Sequence, residues 1–206
     1  MWIAWNINSD KIQWPPTFEK KVEIFYERAA GWQLHIADLI ANGGQPLGSP
    51  DVLKSLEHSG FAMLHICLSY FETIGHYECL DSSAPDKRNS YFFKQGVRSV
   101  LPELAEDFDE VDLEMLLERL YGGVRCGLHH NSMTVAGVGL GPPSPSGSPI
   151  TYDPETKELA VNPQRLPRAL KEHLEQFRAR LLEGGNGNLR RSFEKRFDED
   201  NGILKL

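Results

Sequence analysis

Thr17-Phe18-Glu19-Lys20-Lys21-Val22-Glu23-Ile24-Phe25-Tyr26-Glu27-Arg28-Ala29-Ala30-Gly31-Trp32-Gln33-Leu34-His35-Ile36-Ala37-Asp38-Leu39 places Phe18, Val22, Phe25, Ala29, Trp32, Ile36 and Leu39 at alternating steps of four and three. That spacing is the period of an amphipathic helix. Thr17, after Pro15-Pro16, offers a capping hydroxyl, and Asn42-Gly43-Gly44 offers a stop, so one long helix is expected between them.

The same period recurs downstream. Ser49-Pro50 reads as an N-cap with proline at the first helical position, and Leu53, Leu56, Gly60, Met63, Cys67, Tyr70 and Ile74 extend the stripe to about Cys79. Tyr91, Phe93, Val97, Val100 and Leu101 mark a third helix, and Asp109 caps a fourth carrying Leu113, Leu117, Leu120, Val124 and Leu128. Between them Glu103, Glu106, Asp107, Asp109, Glu110, Asp112, Glu114 and Glu118 form a block without Lys or Arg, read as a solvated linker. It has no metal-coordinating spacing.

The flanks are more varied. Met1, Ile3, Trp5 and Ile7 alternate, which permits a short strand. The run from Gly137 to Pro149 is a flexible, proline-broken loop whose glycines match neither a dinucleotide fingerprint nor a phosphate loop. Ile150 to Tyr152 and Leu159 to Val161 flank a turn and predict a hairpin. Asn162-Pro163 opens a helix with Leu166, Leu170, Leu174, Phe177 and Leu181 on one face and Gly184-Gly185 at its end, and a last short helix spans Leu189 to Phe197. The fold class expected is mainly α, an antiparallel helical bundle with a small β-hairpin and additional C-terminal helices. As one domain over 1–206, it divides into a bundle at 17–131, a glycine- and proline-rich loop with the hairpin at 132–163, and a helical segment at 164–206.

With 206 residues, 40% of them apolar, the chain can build a substantial core. A net charge of -7 argues against non-specific gripping of long nucleic acid, which runs on neutralised phosphates, although the stretch from Arg165 to Arg196 is net basic. Cys67, Cys79 and Cys126 have no CxxC spacing, which points to a reducing, cytoplasmic setting. The first residues show neither a basic region nor a signal-length apolar run, and Phe61 to Phe71 is too short and polar to span a bilayer, so neither export nor a membrane is expected.

Chemistry concentrates in Leu120-Tyr121-Gly122-Gly123-Val124-Arg125-Cys126-Gly127-Leu128-His129-His130-Asn131. Arg125 is a permanent planar cation suited to phosphate, and a histidine moves protons near neutral pH. Together they suit metal-free phosphodiester cleavage in which an imidazole takes a 2′-hydroxyl proton and the oxygen attacks its own phosphate. Three glycines within six positions weaken a helix by about 1 kcal/mol each and call for close approach by a subunit or substrate. The alternative for Arg125 and the histidines is capping of the last helical carbonyls. His35, His58, His65 and His76 form no zinc spacing, His65 reads as a core residue, Cys126 as a small packing residue, and Glu72 as a carboxylate able to orient a catalytic group.

The motif Arg125-Cys126-Gly127-Leu128-His129-His130 resembles the Arg-x4-6-His signature of HEPN domains, and two long helices with Tyr70-Phe71-Glu72 in the second resemble their wider pattern over Thr17 to Asn131. The resemblance implies a helical bundle that dimerises, with Arg125 and His130 of two subunits facing one RNA-cleaving cleft and no metal or cofactor. Cys126 stands where such domains often carry asparagine or another polar residue. On a regular helix four residues rotate by only about 40°, so His129 shares the face of Arg125; the family pattern favours His130, which a glycine-loosened helix would bring round. The alternative is a bundle without catalysis that binds RNA, a nucleotide or a protein, including an antitoxin in a toxin–antitoxin or phage-defence system.

Overall fold

The long N-terminal run is helical throughout but changes pitch in its middle. In the computed structural model, which describes residues 1–56, 59–79, 89–131, 133–183 and 185–203, α1 spans Phe18–Ala29, a π turn spans Ala30–Leu34, and α2 spans His35–Asn42. Thr17 Oγ1 accepts from Lys20 N at 3.3 Å, and Gly43, at φ 69°, ends the helix by donating to Leu39 O. The π turn inserts a residue into the helical repeat. After Ala29 the buried stripe therefore continues at Leu34 and Ala37, a five-residue step, and Trp32 and Ile36, expected inside, are 43% and 41% exposed.

The first residues form a hairpin of β1, Trp2–Ala4, and β2, Ile7–Asn8. A shift in register between Trp2 and Ala4 breaks the expected alternation, so Ala4 and Ile7 are buried while Met1 is exposed.

The second helix starts later than Ser49-Pro50 predicts. α3 spans Gly60–Glu78, and the preceding segment is extended, with Leu53 and Gly44 exchanging backbone hydrogen bonds of 2.7 and 2.9 Å and Leu56 N donating to Ile40 O. Ser49 Oγ accepts from Asp51 N, a local turn that competes with helix initiation. Leu53 and Leu56 are accordingly 50% and 62% exposed, whereas Met63, Cys67, Tyr70 and Ile74 are buried as expected.

α4, Asn89–Val100, packs on α3 at backbone distance. A Cβ at Gly75 would lie 1.8 Å from Phe92 O, and one at Gly96 would lie 1.7 Å from Phe71 O, so both positions are glycine because the helices touch there. α5, Leu104–Asp107, and α6, Glu110–Arg119, follow, with Asp109 capping α6 through Val111 N and Asp112 N, both at 2.9 Å. The acidic block is thus not a linker. Glu110, Glu114 and Glu118 repeat every four residues along α6 and pair with Arg98 and Lys94 of α4, Arg98 reaching Glu110 at 2.8 Å.

A second π segment, Leu120–Cys126, continues α6 into α7, Gly127–Asn131. The hairpin of β4, Ile150–Tyr152, and β5, Leu159–Val161, forms as expected, but the glycine-rich stretch also contributes β3, Val138–Leu140, which lies parallel to β5 and completes a sheet of order β3-β5-β4. α8 spans Arg165–Leu182 and α9 spans Gly187–Asp200. Leu166, Leu170, Leu174, Phe177 and Leu181 are all buried.

The fold is therefore mainly helical with small sheets. Its core is continuous from the hairpin through the bundle to the sheet and α9, with Phe25 meeting Tyr77, Phe177 and Phe193 at ring distances of 4.6–5.8 Å. Lys21 of α1, 4% exposed, reaches Glu194 and Asp198 of α9 at 2.8 Å and clips the last helix onto the first. Among the described residues no helix is long and apolar enough to cross a membrane.

Candidate functional site

The face of α3 opposite its core stripe is where the site begins. Met63, Cys67, Tyr70 and Ile74 turn inward, while His65, Ser69, Glu72 and His76, spaced by four, three and four, line one side of a cavity of about 390 Å³. Arg125 enters from the π segment Leu120–Cys126, His129 from α7, and Arg196 and Asp200 from α9.

Arg125 Nη2 donates to Glu72 Oε2 at 2.9 Å, both side chains being largely shielded. This charge-assisted bond fixes the guanidinium against α3 while leaving most of its five donors free. The guanidinium also lies 5.9 Å from the ring centroid of Tyr121. Burial pushes the Tyr121 phenol up, with Cys126 adding to the rise and Arg125 opposing it.

His129 stacks on His65, with centroids 6.0 Å apart and planes 17° from parallel. Four residues is close to one helical turn, so His129 follows Arg125 into the cavity, and His130 does not line it. His130 is exposed, its ring edge-on to that of His129 at 5.0 Å. His65, expected in the core, is instead exposed in the cleft. It stands two residues after Met63 and two before Cys67, on the side of α3 that the apolar stripe leaves open.

The motif's glycines have a local cause. The carbonyls of Gly123 and Gly127 accept from Val135 N and Met133 N, at 3.1 and 3.4 Å, as the chain returns after α7. A Cβ at Gly123 would come within 2.8 Å of Val135 and one at Gly127 within 2.5 Å of Met133 O. Neither a subunit nor a substrate is needed to explain these two, whereas Gly122 faces open space. Cys126 is half-buried, and His58 lies outside the described residues.

Sequence reasoning missed the far wall. Arg196 binds Asp200 through Nε and Nη2, at 3.2 and 2.9 Å, and Tyr77 donates its hydroxyl to Asp200 Oδ2 at 3.2 Å. His76 stacks on Phe92 at 3.9 Å, and burial followed by the charge of Arg196 pulls its imidazole below the usual histidine value. The four-three-four spacing on α3 was available to find His65 and His76; nothing local marks Arg196. Among the described residues no group of three or more His, Cys, Asp or Glu side chains is placed to hold a metal ion.

No protein-family model, curated protein or solved structure matches this chain.

Proposed function

We propose that the chain is a HEPN-like, metal-independent endoribonuclease acting as a homodimer. The observation that carries this reading is the meeting of Arg125 and His129 in one cleft, with Glu72 holding the guanidinium at 2.9 Å. Arg125 binds the scissile phosphate and offsets the charge that builds on it. A neutral imidazole takes the proton of the 2′-hydroxyl, the 2′-oxygen bonds to phosphorus, and the bond from phosphorus to the 5′-oxygen breaks as a second imidazole supplies its proton. Of the three histidines that line the cleft among the described residues, His129 and His65 stack at 6.0 Å and are the pair we assign to these steps. His130, exposed beside them, is the residue a second subunit would meet in the arrangement that the HEPN resemblance implies.

One observation favours a second reading. Arg125 is engaged by Glu72 and Arg196 by Asp200, so the fixed charges of the cleft cancel. A module that binds RNA, a nucleotide or a protein partner such as an antitoxin, without cutting, would tolerate that balance.

Incubation with end-labelled single-stranded RNA in EDTA separates the two. Cleavage leaving 2′,3′-cyclic phosphate ends, reduced by about 10²-fold or more in Arg125→Ala and His129→Ala, is expected. Intact RNA after incubation with the folded wild type would leave the binding module.

A further inference from the structure

The cleft continues past Arg125. Because α3 rises about 1.5 Å per residue, His65, Glu72 and His76 mark successive stations along a trench. His129 stands at the first and Arg125 at the second, while Arg196 lines the same cavity as His76, the third. Glu72 to His76 is one helical turn, about 6 Å along the axis.

The two guanidiniums are built alike. Arg125 spends one donor on Glu72, and Arg196 spends two on Asp200, which the Tyr77 hydroxyl holds in turn. A guanidinium has five N–H donors in a planar fork, so each keeps at least three. Both side chains stay accessible, 24% for Arg125 and 30% for Arg196. Two oriented cations on the walls of one trench suit two phosphates of one extended strand.

We propose that Arg196 forms a second phosphate subsite, holding the phosphate next to the one at Arg125, so that the cleft takes single-stranded RNA in preference to a mononucleotide. The proposal rests on the reading of Arg125 as a phosphate-binding residue. It gives α9, which lies beyond the HEPN-like segment, a direct part in choosing the ligand. Since Glu72 and Asp200 balance the two arginines, attraction is local, and the salt dependence reflects about two phosphate contacts.

The test is fluorescence anisotropy of a labelled 2′-O-methyl single-stranded oligonucleotide, which binds but cannot be cut, titrated in EDTA at several salt concentrations. Each phosphate contact on a single strand contributes about 0.7 to the slope of log affinity against log salt. Arg196→Gln should lower the slope by about 0.7 and weaken the oligonucleotide several-fold, while leaving the affinity for uridine 3′-monophosphate unchanged. Arg196→Lys should restore the slope, which a merely structural role would not. If Arg125→Gln lowers the slope but Arg196→Gln, melting as the wild type does, leaves slope and affinity unchanged, the second subsite is wrong and the reading of Arg125 stands. Failure of the wild type to bind the oligonucleotide, or an Arg125→Gln variant that binds equally well, overturns both.

Discussion

The imidazole of His129 lies over that of His65, centroids 6.0 Å apart, whereas His130 turns its edge toward His129 and stays out of the cleft. The two adjacent histidines thus occupy unequal positions, one inside the cleft and one outside it.

His129→Ala should therefore reduce RNA cleavage by about 10²-fold or more, and His130→Ala by much less. Single-turnover rates in EDTA would rank them. The reverse order would move proton transfer to His130 and to a site completed by a second subunit.

Glu72 positions Arg125. Glu72→Gln keeps the shape but removes the charge, so the Arg125 guanidinium loses its anchor and the cleavage rate should fall while the pH profile keeps its form. A double-mutant cycle of Glu72→Gln with Arg125→Gln, read by urea denaturation, should give a coupling of about 1 kcal/mol for this partly shielded pair. Additive effects would mean that the ion pair does not persist in solution.

Gly75→Ala and Gly96→Ala each push a methyl group into a carbonyl, at 1.8 Å from Phe92 O and 1.7 Å from Phe71 O. Each should cost about 3 kcal/mol or more by prising α3 from α4. Gly122→Ala, which meets nothing within 4 Å, should leave the melting temperature almost unchanged. Thermal unfolding of the three variants compares them directly.

Acid should weaken the fold through His173. This residue is 5% exposed, its Nδ1 lies 2.9 Å from the Tyr70 hydroxyl, and burial holds its imidazole down to about 4. Unfolded histidine titrates near 6.5, so below about that pH the unfolded chain takes a proton that the folded chain refuses. Stability is full above about 6.5 and falls as the pH approaches 4, by on the order of 3 kcal/mol in all. Urea midpoints across that range should fall with pH, and His173→Asn should flatten the dependence whatever it does at neutral pH.

The helical stripes were legible because burial follows a period, and Val22, Phe25, Met63, Cys67, Leu113, Leu117, Leu170 and Phe177 lie inside as spaced. What the period cannot show is a change of pitch. Trp32 and Ile36 continue the α pattern in sequence, yet the π turn, which contains Trp32 and precedes Ile36, rotates the helix and carries them outward. Ser49-Pro50 has the composition of a helix start, but the backbone pairing of Gly44 with Leu53 outcompetes it, and that pairing joins residues nine apart with no side-chain signature. In the site, the motif announced Arg125 and its histidines, and the pattern of α3 contained His65 and Glu72. Arg196 and Asp200 reach the cleft only because Lys21 and the aromatic core dock α9 beside α3, a tertiary event that no local spacing records.

The glycine contact between α3 and α4 also governs how the cleft can move. Where Gly75 meets Phe92 O and Gly96 meets Phe71 O no side chain separates the two helices, so the stretch of α3 from Phe71 to His76, which carries Glu72, is held firmly against α4. Any widening to admit a ligand, or narrowing after one binds, falls to the opposite walls, the π segment with α7 on one side and α9 on the other. The fastening of α9 to α1 at Lys21 thus bears on the width of the cleft, since Asp198 stands two residues from both Arg196 and Asp200.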